Sequence, residues 1–202
     1  MKIVGGILAG GRGRRMPGLD KPLAPLAGRP LIAHVIDCLA PQTEAILINA
    51  NGDPERYAAF GLGIVADRIE GYRGPLAGVH ALLLAAGERG ASHVLVVPAD
   101  TPFLPRDLAR RLCEATADPD TVRLACSGGR RHPVVALWPA ALAAGLGRHL
   151  AAAEDLSMAA YFRDVPVTEV DFSHPGGPDP FFNVNAPADL DAAERLISGI
   201  NG

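Results

Sequence analysis

Ile3-Val4-Gly5-Gly6-Ile7-Leu8 runs directly into Ala9-Gly10-Gly11-Arg12-Gly13-Arg14-Arg15-Met16, and Asp20-Lys21-Pro22-Leu23 follows shortly after. The first six residues read as a buried strand, and the loop behind them holds three glycines and three arginines. Glycine lets backbone N–H groups approach an anion closely, and arginine and lysine neutralise phosphate charge. A strand opening into bare backbone and basic side chains points to a nucleoside triphosphate; the bland alternative is a solvated basic turn. The loop matches neither of two familiar phosphate patterns. No GxxxxGK[ST] string occurs, and a GxGxxG reading through Gly11 and Gly13 reaches Met16 where the third glycine belongs. Lys21 precedes a proline, which biases it toward an extended backbone from which its side chain can project.

Outward from this stretch, strand-like and helical patterns alternate. Strands are expected at Ile3–Leu8, Ala45–Asn49, Leu62–Ala66, His93–Pro98, Val122–Cys126, Pro133–Leu137 and Val165–Val170. Helices are expected at Pro30–Leu39, Pro75–Arg89, Pro105–Ala115, in two pieces within Pro139–Phe162, and at Ala186–Ile197. Continuous apolar strands between helices imply an α/β fold: a three-layer α/β/α sandwich on a Rossmann-like, mainly parallel sheet, with 1–202 as a single domain. Ligands of such sheets bind beyond the carboxyl ends of the strands. The Pro/Gly-rich run at 173–180 reads as an exposed loop.

Composition narrows the function. Lys+Arg 19 against Asp+Glu 22 gives a net charge of −3, so no global basic field draws in nucleic acid or an anionic membrane. The basic residues cluster locally, at Arg12/Arg14/Arg15 and Arg130/Arg131, which suits a small anionic substrate. Cys38, Cys113 and Cys126 form neither a disulfide framework nor a zinc ribbon, and they fit a reducing cytoplasm as small buried hydrophobes. No signal h-region or membrane-spanning run is evident. The six histidines lack metal-ligand spacing, and no GxSxG elbow is present. His34, His80 and His149 fall in helical patterns and are expected to be satisfied structural residues.

Other polar groups collect after strands. Asp100 follows His93–Pro98 and could hold Mg2+ against phosphates, or simply open an Asx-turn before Pro102. Asn49-Ala50-Asn51 and Asp67 could read a base or ribose, and turn chemistry explains them as well. Gly74-Pro75-Leu76-Ala77-Gly78 opens the long helix, whose N-terminus favours anions; a tight turn with Gly78 as a packing glycine is the alternative. Arg130-Arg131-His132-Pro133 could bind a second anionic substrate or be a solvated loop. Asn183-Val184-Asn185 precedes the last helix, which Asn185 could simply cap.

Taken together, Leu8-Ala9-Gly10-Gly11, Arg15-Met16, Asp20-Lys21, Asn49-Ala50-Asn51, Gly74 to Gly78, Asp100 to Pro105, His132-Pro133 and Asn183 to Asn185 resemble the molybdenum cofactor guanylyltransferases. These lie within the MobA-type nucleotidyltransferases, whose fold is the nucleotide-diphospho-sugar-transferase-like form of the sandwich. The resemblance implies transfer of GMP from Mg-GTP to the phosphate of molybdopterin, with release of pyrophosphate. It implies a GTP site made by Leu8, Ala9, Gly10, Gly11, Lys21, Asn49, Asp67, Gly74, Pro75, Leu76, Gly78 and Asp100, with Asp100 as the Mg2+ ligand. Lys21, Arg15 and Asp100 would be catalytic; Arg130, Arg131, His132, Pro133, Asn183 and Asn185 would lie on the molybdopterin side. GTP and molybdopterin are the expected partners, with contact to proteins that deliver molybdopterin or accept the finished cofactor, and with no nucleic acid or membrane. Leu-Ala-Gly-Gly resembles the GTP-using members, whereas cytidylyl-transferring relatives tend to carry Leu-Ala-Ala-Gly. Gly13, Pro17 and Ala99 depart from the family pattern, and Pro17 removes one backbone N–H from the loop. The alternatives are a cytidylyl- or sugar-1-phosphate nucleotidyltransferase, and a GTP-binding accessory protein without turnover.

Overall fold

A computed structural model of the chain describes residues 1–10, 20–69, 74–174 and 176–200. The opening apolar run forms β1 (Ile3–Leu8). After a short 3-10 turn at Lys21–Leu23 come a two-residue hairpin, β2 (Pro25–Leu26) and β3 (Arg29–Pro30), then α1 (Leu31–Leu39) and β4 (Ala45–Asn49). A 3-10 stretch at Pro54–Phe60 leads to β5 (Gly63–Val65), α2 (Pro75–Gly87) and β6 (His93–Pro98). The rest of the chain forms α3 (Leu108–Glu114), β7 (Val122–Ser127), β8 (Arg130–Pro139), α4 (Ala143–Ala152), α5 (Met158–Tyr161), β9 (Val167–Asp171) and α6 (Pro187–Ile200).

The main sheet has the order β5-β4-β1-β6-β8-β7-β9, and every neighbouring pair is parallel except the two that β8 makes. The chain builds from β1 outward to β4 and β5, then returns to lay β6 on the other side of β1. The topological switch therefore falls at β1, and a crevice is expected beyond its carboxyl end. Register places that end accurately: Leu8 stands opposite both Asn49 and Pro98.

Side chains alternate across the pleat, so the buried strands feed two cores. Val94 and Val96 of β6 join the cluster under α2, α4 and α5, while Leu95 and Val97 join the one under α1 and α3. All four are fully buried, each contributing about 1.5–3 kcal/mol. Together they outweigh an isolated flaw such as the buried Trp138 Nε1, which has no partner among the described residues and costs about 1–3 kcal/mol. A third cluster packs α6 on the small hairpin through Leu26, Leu31, Val184 and Ala193.

Helix α2 is apolar and buried on nearly every side, from Leu76 to Leu83 and again at Ala85 and Ala86. Its start demands glycine: Gly74 has φ 67° and ψ −165°, a region side chains avoid, and Pro75 then pre-sets the first turn. The helix seats closely on β1 because small and large residues face each other. A Cβ on Gly6 would stand 2.8 Å from Leu82 Cδ1, and one on Gly78 would stand 2.7 Å from Leu8 Cδ2.

At the opposite, amino edge of the sheet the Arg123 guanidinium is 1% exposed and has no carboxylate partner among the described residues. It donates to the Asp118 carbonyl at 2.7 Å and to His93 Nε2, also at 2.7 Å. Arginine carries only donors, so at the shorter of its two contacts His93 Nε2 presents its lone pair, with the Pro119 carbonyl 3.2 Å from the same nitrogen, and this puts the ring proton on Nδ1, 3.1 Å from Ser92 Oγ. His93 is thus built to be neutral.

The expected strands and helices form, with three differences of substance. Arg130 and Arg131 lie inside β8 rather than ahead of it, because the Gly128–Gly129 turn, with φ of 55° and 73°, closes a tight hairpin directly onto them. The helix expected from Pro105 begins only at Leu108. Among the three helical histidines only His34 is satisfied, 3.0 Å from the Leu26 carbonyl; His80 Nδ1 and His149 Nε2 are buried without a partner among the described residues. None of the described helices is long and apolar enough to cross a membrane.

Candidate active site

The carboxyl ends of β5, β4, β1 and β6 are stitched into one rim. Ala50 N–H donates to the Val65 carbonyl at 3.1 Å, Ala9 N–H to Asn49 at 2.9 Å, and Ala99 N–H to Leu8 at 3.0 Å. Lys21 comes to this rim on the 3-10 turn that follows Asp20. Its ammonium donates to the Asp100 carboxylate and, at 2.7 Å, to Asn185 Oδ1. Lys21 and Asp100 side chains are 19% and 17% exposed, so the ion pair is only partly screened by water. Two further bonds hold the arrangement. Val184 N–H donates to the Asp100 carbonyl at 2.9 Å, and the fully buried Thr101 donates through Oγ1 to Asn183 Oδ1 at 2.6 Å.

A second group lies along the β1–β4–β5 side. Asn49 is 3% exposed, and its amide donates to the Val65 carbonyl at 3.1 Å and to Asp67 Oδ1 at 2.9 Å. Asn51 grips Asp67 reciprocally, donating to Oδ2 at 2.8 Å while accepting the Asp67 N–H at 2.9 Å. Both carboxylate oxygens are thereby oriented, with lone pairs to spare. Gly78 faces this group from α2, and a Cβ there would overlap the Asn49 amide oxygen. Gly78 and the fully buried Leu76 therefore shape the site by packing, whereas Gly74 and Pro75 stand at its surface. At Gly10 a Cβ would meet Asn49 Oδ1 at an ordinary 3.7 Å, so its smallness matters less for space.

A third group stands where β8 enters the sheet. Because β8 runs against its neighbours, its first residues lie at the same edge as the carboxyl ends of β6 and β7. Arg131 pairs with Glu169 of β9, with Nε at 2.7 Å, and is exposed; Arg130 is exposed beside it, and Pro133 is half-buried. His132 is buried, with Nε2 2.7 Å from Ser127 Oγ and its ring centroid 4.6 Å from that of Phe181. Burial pushes its pKa below 6.5, against the pull of Asp179 and with help from Arg130.

The structure thus brings Lys21, Asp100 and Asn185 into direct contact and sets Leu8, Ala9, Asn49 and Asp67 along the adjoining rim. Gly11 and Arg15 lie outside the described residues, as do Gly13 and Pro17. Residues that sequence reasoning missed are Thr101, Asn51 as the clamp on Asp67, Ser127, Asp179 and Arg56. The last donates through Nε to Asp20 at 2.9 Å and so braces the turn that carries Lys21. Three of these five lie inside marked stretches, Asn51 in Asn49-Ala50-Asn51, Thr101 in Asp100 to Pro105 and Asp179 in the run at 173–180, and membership of those stretches was their only signal. Among the described residues no three His, Cys, Asp or Glu side chains converge as a metal cage. At the Lys21 ammonium the Asp100 carboxylate and the Asn185 amide oxygen converge.

Comparison with known proteins gives a consistent result. A family model described as the MobA-like NTP transferase domain matches residues 5–166. A molybdenum cofactor guanylyltransferase from Rhodopseudomonas palustris (strain BisB5) is 48% identical, covering 94% of this chain and 91% of its own. One from Bradyrhizobium sp. (strain ORS 278) is also 48% identical, covering 97% and 93%. Among solved structures, molybdopterin-guanine dinucleotide biosynthesis protein A from Archaeoglobus fulgidus superposes with a TM-score of 0.74 at 23% identity, over 98% of this chain and all of that one. A CMP:2-keto-3-deoxy-manno-octonic acid synthetase complexed with CTP superposes at 0.73 with 17% identity, over 99% of this chain and 100% of that one. These last two likenesses are of fold.

Proposed function

Since the chain belongs to the MobA-like NTP transferase family, among its molybdenum cofactor guanylyltransferases, we propose that it transfers GMP from GTP to the phosphate of molybdopterin and releases pyrophosphate. The observation that carries this reading is the Lys21–Asp100–Asn185 contact at the switch point of the sheet. A phosphate oxygen of the acceptor is already anionic, so attack on the α-phosphorus needs no general base. What the protein must do is position two anions and neutralise charge that moves onto pyrophosphate.

Each group has a part in that task. Lys21, braced through Asp20 and Arg56, offers its ammonium to the triphosphate. Asn49, Asn51 and Asp67 form an oriented polar edge for the nucleoside, and Leu8 to Gly10 offer backbone beside it. The start of α2 at Gly74–Pro75 turns its positive end toward an anion. Arg130, His132, Asn183 and Asn185 lie on the side left for the acceptor. The Asp100 carboxylate and Asn185 amide already hold a cation in Lys21, and hard oxygen donors of this kind suit Mg2+, which takes one or two carboxylates and fills its shell with water and phosphate. Bound there, Mg2+ would neutralise phosphate charge.

The test is a comparison of nucleotides. Chain, Mg2+ and molybdopterin are incubated with GTP, CTP or ATP separately, and pyrophosphate is measured. Release with GTP at a rate at least about ten-fold above CTP is expected, the discrimination of one or two hydrogen bonds to a base. A preference for CTP would sink the guanylyl assignment, and release only when a sugar phosphate replaces molybdopterin would sink the acceptor.

A further inference from the structure

The sequence reads as an exposed Pro/Gly-rich loop at 173–180 and, separately, as an Asn183-Val184-Asn185 stretch before the last helix; in the structure Gly176 to Ala186 is tied down at every few residues. Ser127 Oγ lies 2.7 Å from both Asp179 Oδ1 and His132 Nε2. A hydroxyl has one proton, and the carboxylate can only accept it, so Ser127 donates to Asp179 and accepts from His132 Nε2–H. The same Asp179 oxygen takes the Phe181 N–H at 2.9 Å, and the Asp179 carbonyl takes the Phe182 N–H at 3.1 Å. The Phe181 ring is held between His132 and Phe172, at centroid distances of 4.6 and 5.5 Å. Two residues on, Asn183 accepts from Thr101; Val184 is fully buried with its N–H on Asp100, and Asn185 reaches Lys21.

We propose that His132, Ser127 and Asp179 form a positioning relay, with Ser127 as its hub, that holds Asn183 and Asn185 in place on the acceptor side of the transfer centre. The relay deepens the functional reading above and, for its kinetic part, rests on it. His132 turns its Nε2 inward to Ser127 rather than out to solvent, so this edge of the imidazole is committed to the protein. The chain of contacts runs from β8 through the end of β7 to the loop, and among the described residues no member of it hydrogen-bonds to Asn49, Asn51 or Asp67. Its disturbance should therefore weaken acceptor handling and leave the nucleoside side alone.

Asp179 is 41% exposed at its side chain, which makes it the member to change with least harm to folding. Asp179→Ala removes the acceptor for Ser127 and Phe181; Asp179→Asn keeps it, since an amide oxygen can take both bonds. With Asp179→Ala the KM for molybdopterin should rise about ten-fold, the worth of one hydrogen bond to a carboxylate, while equilibrium affinity for guanosine, which lacks the phosphates that Lys21 faces, stays within about two-fold. Asp179→Asn should restore the parent KM to within about three-fold. A fall in guanosine affinity as large as the rise in acceptor KM would reduce the relay to a general structural role and overturn it, as would an unchanged KM. Hydrogen exchange supplies a readout free of substrate: the Val184 amide should exchange at least about ten-fold faster in Asp179→Ala and at the parent rate in Asp179→Asn. If the parent chain releases no pyrophosphate from GTP and molybdopterin, the functional reading fails, and the relay stands or falls on that exchange alone.

Discussion

An ammonium has three N–H donors, and Lys21 commits two of them to Asp100 and Asn185, leaving one for an incoming anion. The lysine is thereby aimed as well as charged, which a solvated side chain on a loop would not be. Asp100 has the converse position: Lys21 occupies one oxygen, Thr101 Oγ1 lies 3.4 Å from the other, and its carbonyl holds Val184. Truncating it leaves the backbone bond intact and removes the carboxylate alone. We predict that Asp100→Ala lowers the rate of pyrophosphate release at least about a hundred-fold, with the urea unfolding midpoint close to that of the parent. Release at the parent rate from the purified variant would show that the carboxylate has no part in the chemistry. At this scale the sequence was informative about residue type and edge, since strand ends could be counted. It was silent on partners: Lys21 and Asn185 are 164 residues apart, and nothing local in either stretch says that they meet.

Among the elements, α2 shows how a motif can matter through packing. The Gly74 to Gly78 stretch was noticed as a place for close approach of ligand, with a packing glycine as the plainer reading; at Gly78 the close approach is of helix to strand. The missing side chain leaves room for Leu8 Cδ2 and the Asn49 amide, and Asn49 in turn orients Asp67. A methyl group at Gly78 must push against both, and overpacking of a tight core costs about 1–3 kcal/mol. Gly78→Ala should lose stability in that range in urea titration, and its GTP affinity should fall by about ten-fold because Asn49 cannot keep its position. Stability lost with GTP affinity unchanged would disconnect the helix seat from the nucleotide side. Long elements such as β6 and α2 were legible because period and composition agree over many residues. The hairpin of β2 and β3 and the 3-10 stretch at Pro54–Phe60 were not, since two-residue strands have no period and a 3-10 turn has no apolar stripe.

For the molecule as a whole, three buried histidines set an acid limit. Burial holds the pKa of His80, His93 and His132 below the ordinary 6.5, reinforced by Arg68, Arg123 and Arg130 respectively, with Asp179 pulling the other way on His132 and the Pro119 carbonyl and Asp120 on His93. The unfolded chain takes up protons near pH 6.5 that the folded chain refuses. Stability is therefore complete above that pH and is lost as the pH falls below it, through the lowered folded values. The carboxylates with shifted pKa, Asp118, Asp155, Glu169 and Asp171, are moved down from 3.8 or 4.5 and titrate well below this window. Urea midpoints should fall steadily between pH 7 and 5.5, and His93→Gln, which can still accept from Arg123, should flatten part of that fall. A midpoint independent of pH over that interval would refute the account. The acid limit was not legible in the sequence, because it depends on which histidines are buried against arginines. The direction of β8 was equally hidden, since a strand's own residues do not say which way its neighbours run. That reversal makes the two halves of the crevice separately mutable. Nucleoside-side residues hang from the ends of four parallel strands, whereas Arg130 to His132 ride on the tip of one hairpin closed by two glycines. Substitutions that alter the acceptor can then be confined to that short tip without moving the strand ends that carry the other half of the crevice.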